Sequence, residues 1–206
     1  MSQALTLVLG THNKKKRLEL ERLLQPYPVA LKTLEDFPEA LEVEETGDTF
    51  AANAILKAAE QAVHLGHWVL GEDSGLSVAG LDGAPGVYSA RFSGLQATDE
   101  TNNALLLEKL KGQPQQGRQA WYTCNMALSD PAGSIVIQTE ANCRGQILEE
   151  PRGTTGFGYD PLFEIPEYHL TFAQLGDSVK SILSHRARAH RIFMRQFSHF
   201  FNNCKQ

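Results

Sequence analysis

The apolar run Trp68-Val69-Leu70 stops at Gly71-Glu72-Asp73-Ser74-Gly75, where two adjacent carboxylates are followed at once by a hydroxyl and a glycine. A short apolar run after a helix stop reads as a buried strand. In an open α/β sheet, ligands bind beyond the carboxyl ends of the strands. Carboxylates are costly to desolvate, so a pair at a strand exit calls for water, a cation or a bound substrate. The alternative is an ordinary Asx-type turn.

The pattern around this segment is α/β. Leu5 to Leu9 is a second apolar run, ended by Gly10, and Thr11-His12-Asn13 leads into a helix from about Lys15 to Leu24. That helix turns Leu18, Leu20, Leu23 and Leu24 inward, with Pro26 beyond it. Val29 to Leu34 reads as a strand. Thr46-Gly47-Asp48 supplies cap chemistry for an Ala-rich helix over Thr49 to Leu65, which Gly66 closes. Gly75 to Gly94, rich in glycine and holding Pro85, reads as a long loop. A helix follows from Thr98 to about Lys111. Strands over Gln119–Leu128 and Ile135–Asn142 flank the turn Ser129-Asp130-Pro131-Ala132-Gly133. A last helix, Ser178 to Phe200, buries Leu183, Ile192, Phe193, Phe197 and Phe200. The expectation is one domain over residues 1–206, a mixed sheet with flanking helices, with the hairpin as candidate for a second lobe.

A chain of 206 residues can bury a substantial core. Its net charge of −5 argues against a protein that coats nucleic acid. The basic residues nevertheless cluster, at Lys14-Lys15-Lys16-Arg17 and at Lys180, Arg186, Arg188, Arg191 and Arg195. Local positive charge on an acidic body suits a small anionic ligand; solvated helix faces are the alternative. No apolar run approaches the roughly 20 residues of a membrane span, and Met1-Ser2-Gln3 lacks a basic region ahead of a long apolar core, so no secretory signal is expected. Cys124, Cys143 and Cys204 lack metal-ligand spacing, so reduced thiols in a cytoplasmic protein are expected, with no membrane or nucleic-acid partner.

Five segments carry chemistry. Thr11 to Lys16 opens a helix after a strand, where unpaired N–H groups and lysine favour a phosphate; a plain capped helix start competes. Neither GxxxxGK[ST] nor GxGxxG is present. Glu44, Glu45, Glu72 and Asp73 offer hard oxygens for a divalent cation such as Mg²⁺, and one of them is free to act as a base. For Glu44-Glu45 a solvated acidic run before a helix competes. In Gly156-Phe157-Gly158-Tyr159-Asp160 glycines bracket two aromatics. A purine stacks on such a face for ~1–3 kcal/mol, unless this is simply a turn. His185-Arg186 near the start of the last helix offers donors for a ring carbonyl or a phosphate; a solvent-facing pair without a ligand competes.

Together, and in order along almost the whole chain, these segments resemble the dITP/XTP pyrophosphatases, or inosine triphosphate pyrophosphatases. Thr11 to Lys16 is similar to the family's Thr-Gly-Asn-x-x-Lys loop. Glu44-Glu45-Thr46-Gly47, with Thr49-Phe50, Asn53-Ala54 and Leu56-Lys57-Ala58, is similar to its acidic helix entry. Glu72-Asp73-Ser74-Gly75-Leu76 resembles its Asp-Asp-Ser-Gly-Leu, and Gly83 to Arg91 its next signature. Gly156 to Pro161, then Lys180 and Ser184-His185-Arg186, complete the resemblance.

The resemblance implies a two-lobed α/β fold around a central cleft, a homodimer, and house-cleaning of deaminated purine nucleotides. The implied reaction is attack of water at the α-phosphorus, releasing a monophosphate and pyrophosphate. Asp73 would be the base and share Mg²⁺ with Glu44 or Glu45. Thr11, His12, Asn13, Lys14, Lys15, Lys16 and Ser74 would meet the triphosphate, with Lys180 nearby. Phe157, Gly158, Tyr159 and Asp160 would form the base pocket, and His185 and Arg186 would read the purine. Two positions depart from the pattern. His12 replaces a glycine, its imidazole pointing either at the phosphates or outward, and a positive φ there would strain it. Glu72 replaces a commoner aspartate. A purine sensor that binds without cleaving is the competing function.

Overall fold

The computed structural model describes residues 5–24 and 29–203, apart from the side chains of Lys15, Leu23 and residues 201–203. Expectations at Pro26 and Cys204, and for the side chains of Lys15 and Leu23, lie outside the described residues. Strands β1 (Thr6–Gly10), β2 (Ala30–Thr33), β3 (Trp68–Val78), β4 (Gln119–Ser129), β5 (Ile135–Ile147), β6 (Phe163–Ile165) and β7 (Leu170–Thr171) form one mixed sheet. Its order is β2-β1-β3-β4-β5-β6-β7. β1 runs parallel to β2 and β3, whereas β6 is antiparallel to β5 and β7. The flanking helices are α1 (Lys14–Leu24), α2 (Phe50–Leu65), α3 (Asp99–Lys109), α4 (Phe172–Leu183) and α5 (His185–Asn203). No helix among the described residues is long and apolar enough to cross a membrane.

The chain divides into two compact units, and strands β3, β4 and β5 each pass from one to the other. The first unit comprises residues 1–73, 124–140 and 189–206; its core includes Val8, Leu34, Ala62 and Val69, with Ala54, Ala58 and Ala127 packed as a second group. The second comprises 74–123 and 141–188, around Leu76, Leu106, Tyr122, Phe163 and Phe172. The hairpin is therefore not a lobe by itself. Its tip, where the Asp130 carboxylate accepts from Ala132 and Ser134 N–H at 2.9 Å each, belongs to the first unit and its base to the second.

Caps set the helix bounds. Thr49 accepts from Ala52 N–H at the start of α2, and Gly66 ends it at φ 66°. Thr98 does the same for α3. Elsewhere the sequence expectations need correcting. β3 does not stop at Leu70 but continues through Glu72-Asp73 to Val78, and two 3₁₀ turns follow at Ala79–Leu81 and Gly86–Arg91. What ends is β1, whose register closes at Gly10↔Gly71, so Glu72 and Asp73 sit on β3 past their neighbour's carboxyl end. The final helix is two: α4 begins at Phe172 and is interrupted at Gly176 (φ 75°, ψ 174°). Ser184 then turns extended and accepts from Ala187 N–H at the start of α5. Leu18 and Ile192 are 42% and 39% exposed, because Leu20/Leu24 and Phe193/Phe197, each four apart, already fill the inward face.

The Ala-rich face of α2 lies directly on β3. A Cβ on Gly71 would come within 2.3 Å of Ala54 O and 2.7 Å of Ala58 N, both backbone atoms. Gly71→Ala is expected to destabilise by about 2 kcal/mol or more, lowering the melting temperature by roughly 4–8 °C for a chain of this size. A thermal scan checks this, and an unchanged midpoint contradicts the packing described.

Candidate active site

In the first unit, β1 delivers Thr11-His12-Asn13 to the start of α1. Asn13 is its cap, with Oδ1 accepting from Lys16 N–H at 3.1 Å and the Asn13 N–H donating to Thr11 Oγ1 at 3.2 Å. Lys14 is exposed. Positive φ among the described non-glycine residues occurs at Asp82 and His169, not at His12, so His12 carries no such strain. Its exposed imidazole places Nε2 3.3 Å from Leu41 O.

One turn into α1, Lys16 Nζ reaches 3.7 Å from Glu72 Oε1 and 3.9 Å from Asp73 Oδ1. From α2, Lys57 Nζ donates to Asp73 Oδ1 at 2.9 Å and to Glu45 Oε1 at 3.0 Å. Asn53, one turn before Lys57, gives its amide to Asp73 Oδ2 at 3.3 Å. Glu72 and Asp73 are 1% and 5% exposed. Cys124 Sγ, 3.6 Å from Glu72 Oε1, donates to that carboxylate. Glu44 is exposed.

Two cations on a buried acid leave it in tension. Burial pushes the Asp73 pKa up, Lys16 and Lys57 pull it down, and Glu45 adds to the rise; the outcome lies above the ordinary aspartate value. Burial pulls Lys57 down, but Asp73 and Glu45 outweigh it and the ammonium is held more firmly than usual. Sequence reasoning placed Asp73, Glu45 and Lys16 here but gave no role to Lys57 or Asn53. Their spacing of four on one helix face was the available signal.

In the second unit, Arg186, 2% exposed, donates from Nη2 to Ser74 Oγ at 3.1 Å. His185 stacks on Tyr122, with centroids 4.6 Å apart and planes 9° apart. Asp160, 2% exposed, accepts from Lys180 Nζ at 2.6 Å and from Phe157 N–H at 2.9 Å. That fold-back demands glycine at 156, where φ is 81° and a Cβ would stand 2.1 Å from Asp160 Oδ2. Lys180 Nζ lies 4.1 Å over the Phe157 ring. Gly158 O accepts from Asn103 Nδ2 at 3.0 Å. Tyr159 is buried, with its hydroxyl donating to Ser89 O at 2.8 Å, so Phe157 is the aromatic of this loop with open surface. Asn103 and Ser89 support the loop from positions the sequence did not single out.

The sequence profile of the Ham1 family matches residues 7–196. The chain belongs to the Ham1 family. A relative in Rhodopirellula baltica, named dITP/XTP pyrophosphatase, is 52% identical over 196 residues, covering 95% of this chain and 94% of that protein. One of the same name in Exiguobacterium is 49% identical, covering 90% and 93%. Among solved structures, a HAM1 protein from Coxiella burnetii superposes with a TM-score of 0.88 at 35% identity, covering 95% of this chain and 99% of that one. A nucleoside-triphosphatase / dITP/XTP pyrophosphatase from Mycobacterium abscessus gives 0.77 at 40% identity, covering 92% and 98%. This Ham1 chain shares their mixed sheet with flanking helices.

The raised Asp73 pKa has a stability consequence in this Ham1 protein. Folding favours the protonated carboxyl, so the Asp73 contribution is present below the ordinary carboxylate pKa and lost as pH rises through the raised value. At pH 7 the ionised group opposes folding. Asp73→Asn is therefore expected to melt no lower than the parent at pH 7, with the difference shrinking toward pH 4. A melting point clearly below the parent's at pH 7 contradicts this assignment.

Proposed function

We propose that this chain hydrolyses purine nucleoside triphosphates bearing a C6 carbonyl (dITP, ITP, XTP, dXTP) to the monophosphate and pyrophosphate. The observation that carries the reading is Asp73: a buried carboxylate of raised pKa, gripped by Lys16 and Lys57, with Ser74 next along the strand. Relatives at about half identity named dITP/XTP pyrophosphatase support the substrate class.

In this reading Asp73 takes the proton of the water that attacks the α-phosphorus, a task suited to a carboxylate whose pKa is raised toward the working pH. Lys16, with the stretch Thr11, His12, Asn13, Lys14 and Lys15 that opens α1, meets the triphosphate oxygens; the start of a helix favours that charge. Ser74, oriented by Arg186, adds a hydroxyl. The carboxylates of Asp73, Glu45 and Glu44 fit a hard cation. Among the described residues no group of three or more His, Cys, Asp or Glu side chains is arranged to hold a metal ion by itself, so Mg²⁺ would take one or two of these carboxylates and complete its shell with substrate oxygens and water. When bound, the ion neutralises the phosphoryl oxygens.

Phe157 offers its ring to the purine, while Gly158, Tyr159 and Asp160 hold that ring in place. Lys180, His185 and Arg186 supply donors. Hypoxanthine and xanthine present a carbonyl acceptor at C6, whereas adenine presents an amino donor that leaves such groups unpaired, and mismatches of this kind are heavily penalised. A homodimer and a cytoplasmic location go with this reading; sedimentation at micromolar concentration tests the first.

The test is a nucleotide panel with Mg²⁺ that reads both products. ITP is expected to give IMP and pyrophosphate far faster than ATP gives AMP, and Asp73→Asn to lose about 10²–10⁴-fold in kcat, the usual worth of a general base. IDP plus phosphate, or full activity in the variant, refutes the scheme; tight ITP binding without turnover makes the protein a sensor.

A further inference from the structure

Residues 40–47, which carry Glu44 and Glu45, form neither helix nor strand. They are nonetheless tied along their length to α2. Asn53 Oδ1 accepts from Gly47 N–H at 2.8 Å, and Lys57 holds Glu45. Gln61 Oε1 accepts from Leu41 N–H at 3.1 Å while its Nε2 donates to Leu41 O. His64 Nε2 lies 2.7 Å from Glu39 O. Positions 53, 57, 61 and 64 fall on one face of a helix, and their partners run backwards from 47 to 39. The segment is a strap laced antiparallel along α2.

We propose that Gln61 is a positioning residue for the acidic strap, its amide fixing the Leu41 peptide so that Glu44 and Glu45 are in place before a cation arrives. The inference rests on the reading of those carboxylates, with Asp73, as a divalent cation site. Gln61 is 1% exposed, where an amide is tolerated only if both ends are satisfied. A primary amide offers an N–H donor and a C=O acceptor side by side, matching the C=O and N–H of one residue, Leu41. A glutamate would set an oxygen against the Leu41 carbonyl, and an apolar residue would leave the Leu41 N–H without its acceptor. His12 meets the same Leu41 oxygen from the loop before α1, so the residue that replaces the expected glycine ties that loop to the strap. Ligands ordered in advance bind a cation without the cost of ordering them at that moment.

The test uses Gln61→Met, similar in length but unable to pair with the peptide, and Gln61→Glu as a second variant. Amide hydrogen exchange is read over residues 39–47 in metal-free protein, and Mn²⁺ affinity by calorimetry without nucleotide. The methionine variant is expected to exchange about tenfold faster in the strap, with residues 69–72 of β3 unchanged. Its Mn²⁺ dissociation constant is expected to rise by about tenfold through lost preorganisation. The glutamate variant moves both in the same direction, and serves if the first does not fold. Parent-like exchange in the strap overturns the proposal, as does faster exchange with unchanged Mn²⁺ affinity. A parent that binds no Mn²⁺ overturns the cation reading instead, while the exchange result still decides whether Gln61 holds the strap.

Discussion

A carboxylate taken out of water must be compensated, and in the first unit that requirement is met at Asp73 by two lysines and an amide. Lys57 comes from α2, Lys16 from α1, and both helices are placed by the strands before and after them. The carboxylate can lie there only because Gly71, two residues earlier, admits the backbone of α2. Helix, strand and acid are thus one packing problem. The same compromise sets the charge of the side chain: enough cation to keep it folded in, not enough to hold its pKa down.

The second unit solves a parallel problem with a different purpose. Asp160 is as buried as Glu72, but its carboxylate is spent on Lys180 and on the Phe157 N–H, so it shapes a loop. Tyr159 and Asn103 fasten that loop further, which leaves the Phe157 ring half-buried beneath Lys180 Nζ. Both units therefore use buried polar groups to hold backbone still.

Local chemistry was legible in the sequence. Thr49, Gly66 and Thr98 mark helix ends through hydrogen bonds made within four residues, and β1 is a plain apolar run. The break at Ser184 was missed because helical periodicity continues on either side of it. The passage of β3 through Glu72-Asp73 was missed for a deeper reason: two acids and a serine read as a turn until their partners are known. Those partners, Lys16, Lys57, Cys124 and Arg186, lie up to 112 residues away. The acidic strap was equally opaque, since its order comes from side chains of α2 and not from its own sequence.

The balance of burial against two ammonium groups is the point on which the account turns, and it is open to direct measurement. The ¹³C resonance of the Asp73 carboxyl, followed against pH in the parent and in Lys57→Met, reports it. A midpoint above the ordinary 3.8, moving higher still when the Lys57 charge is removed, is the predicted result. A midpoint at or below 3.8, or one indifferent to Lys57, contradicts it.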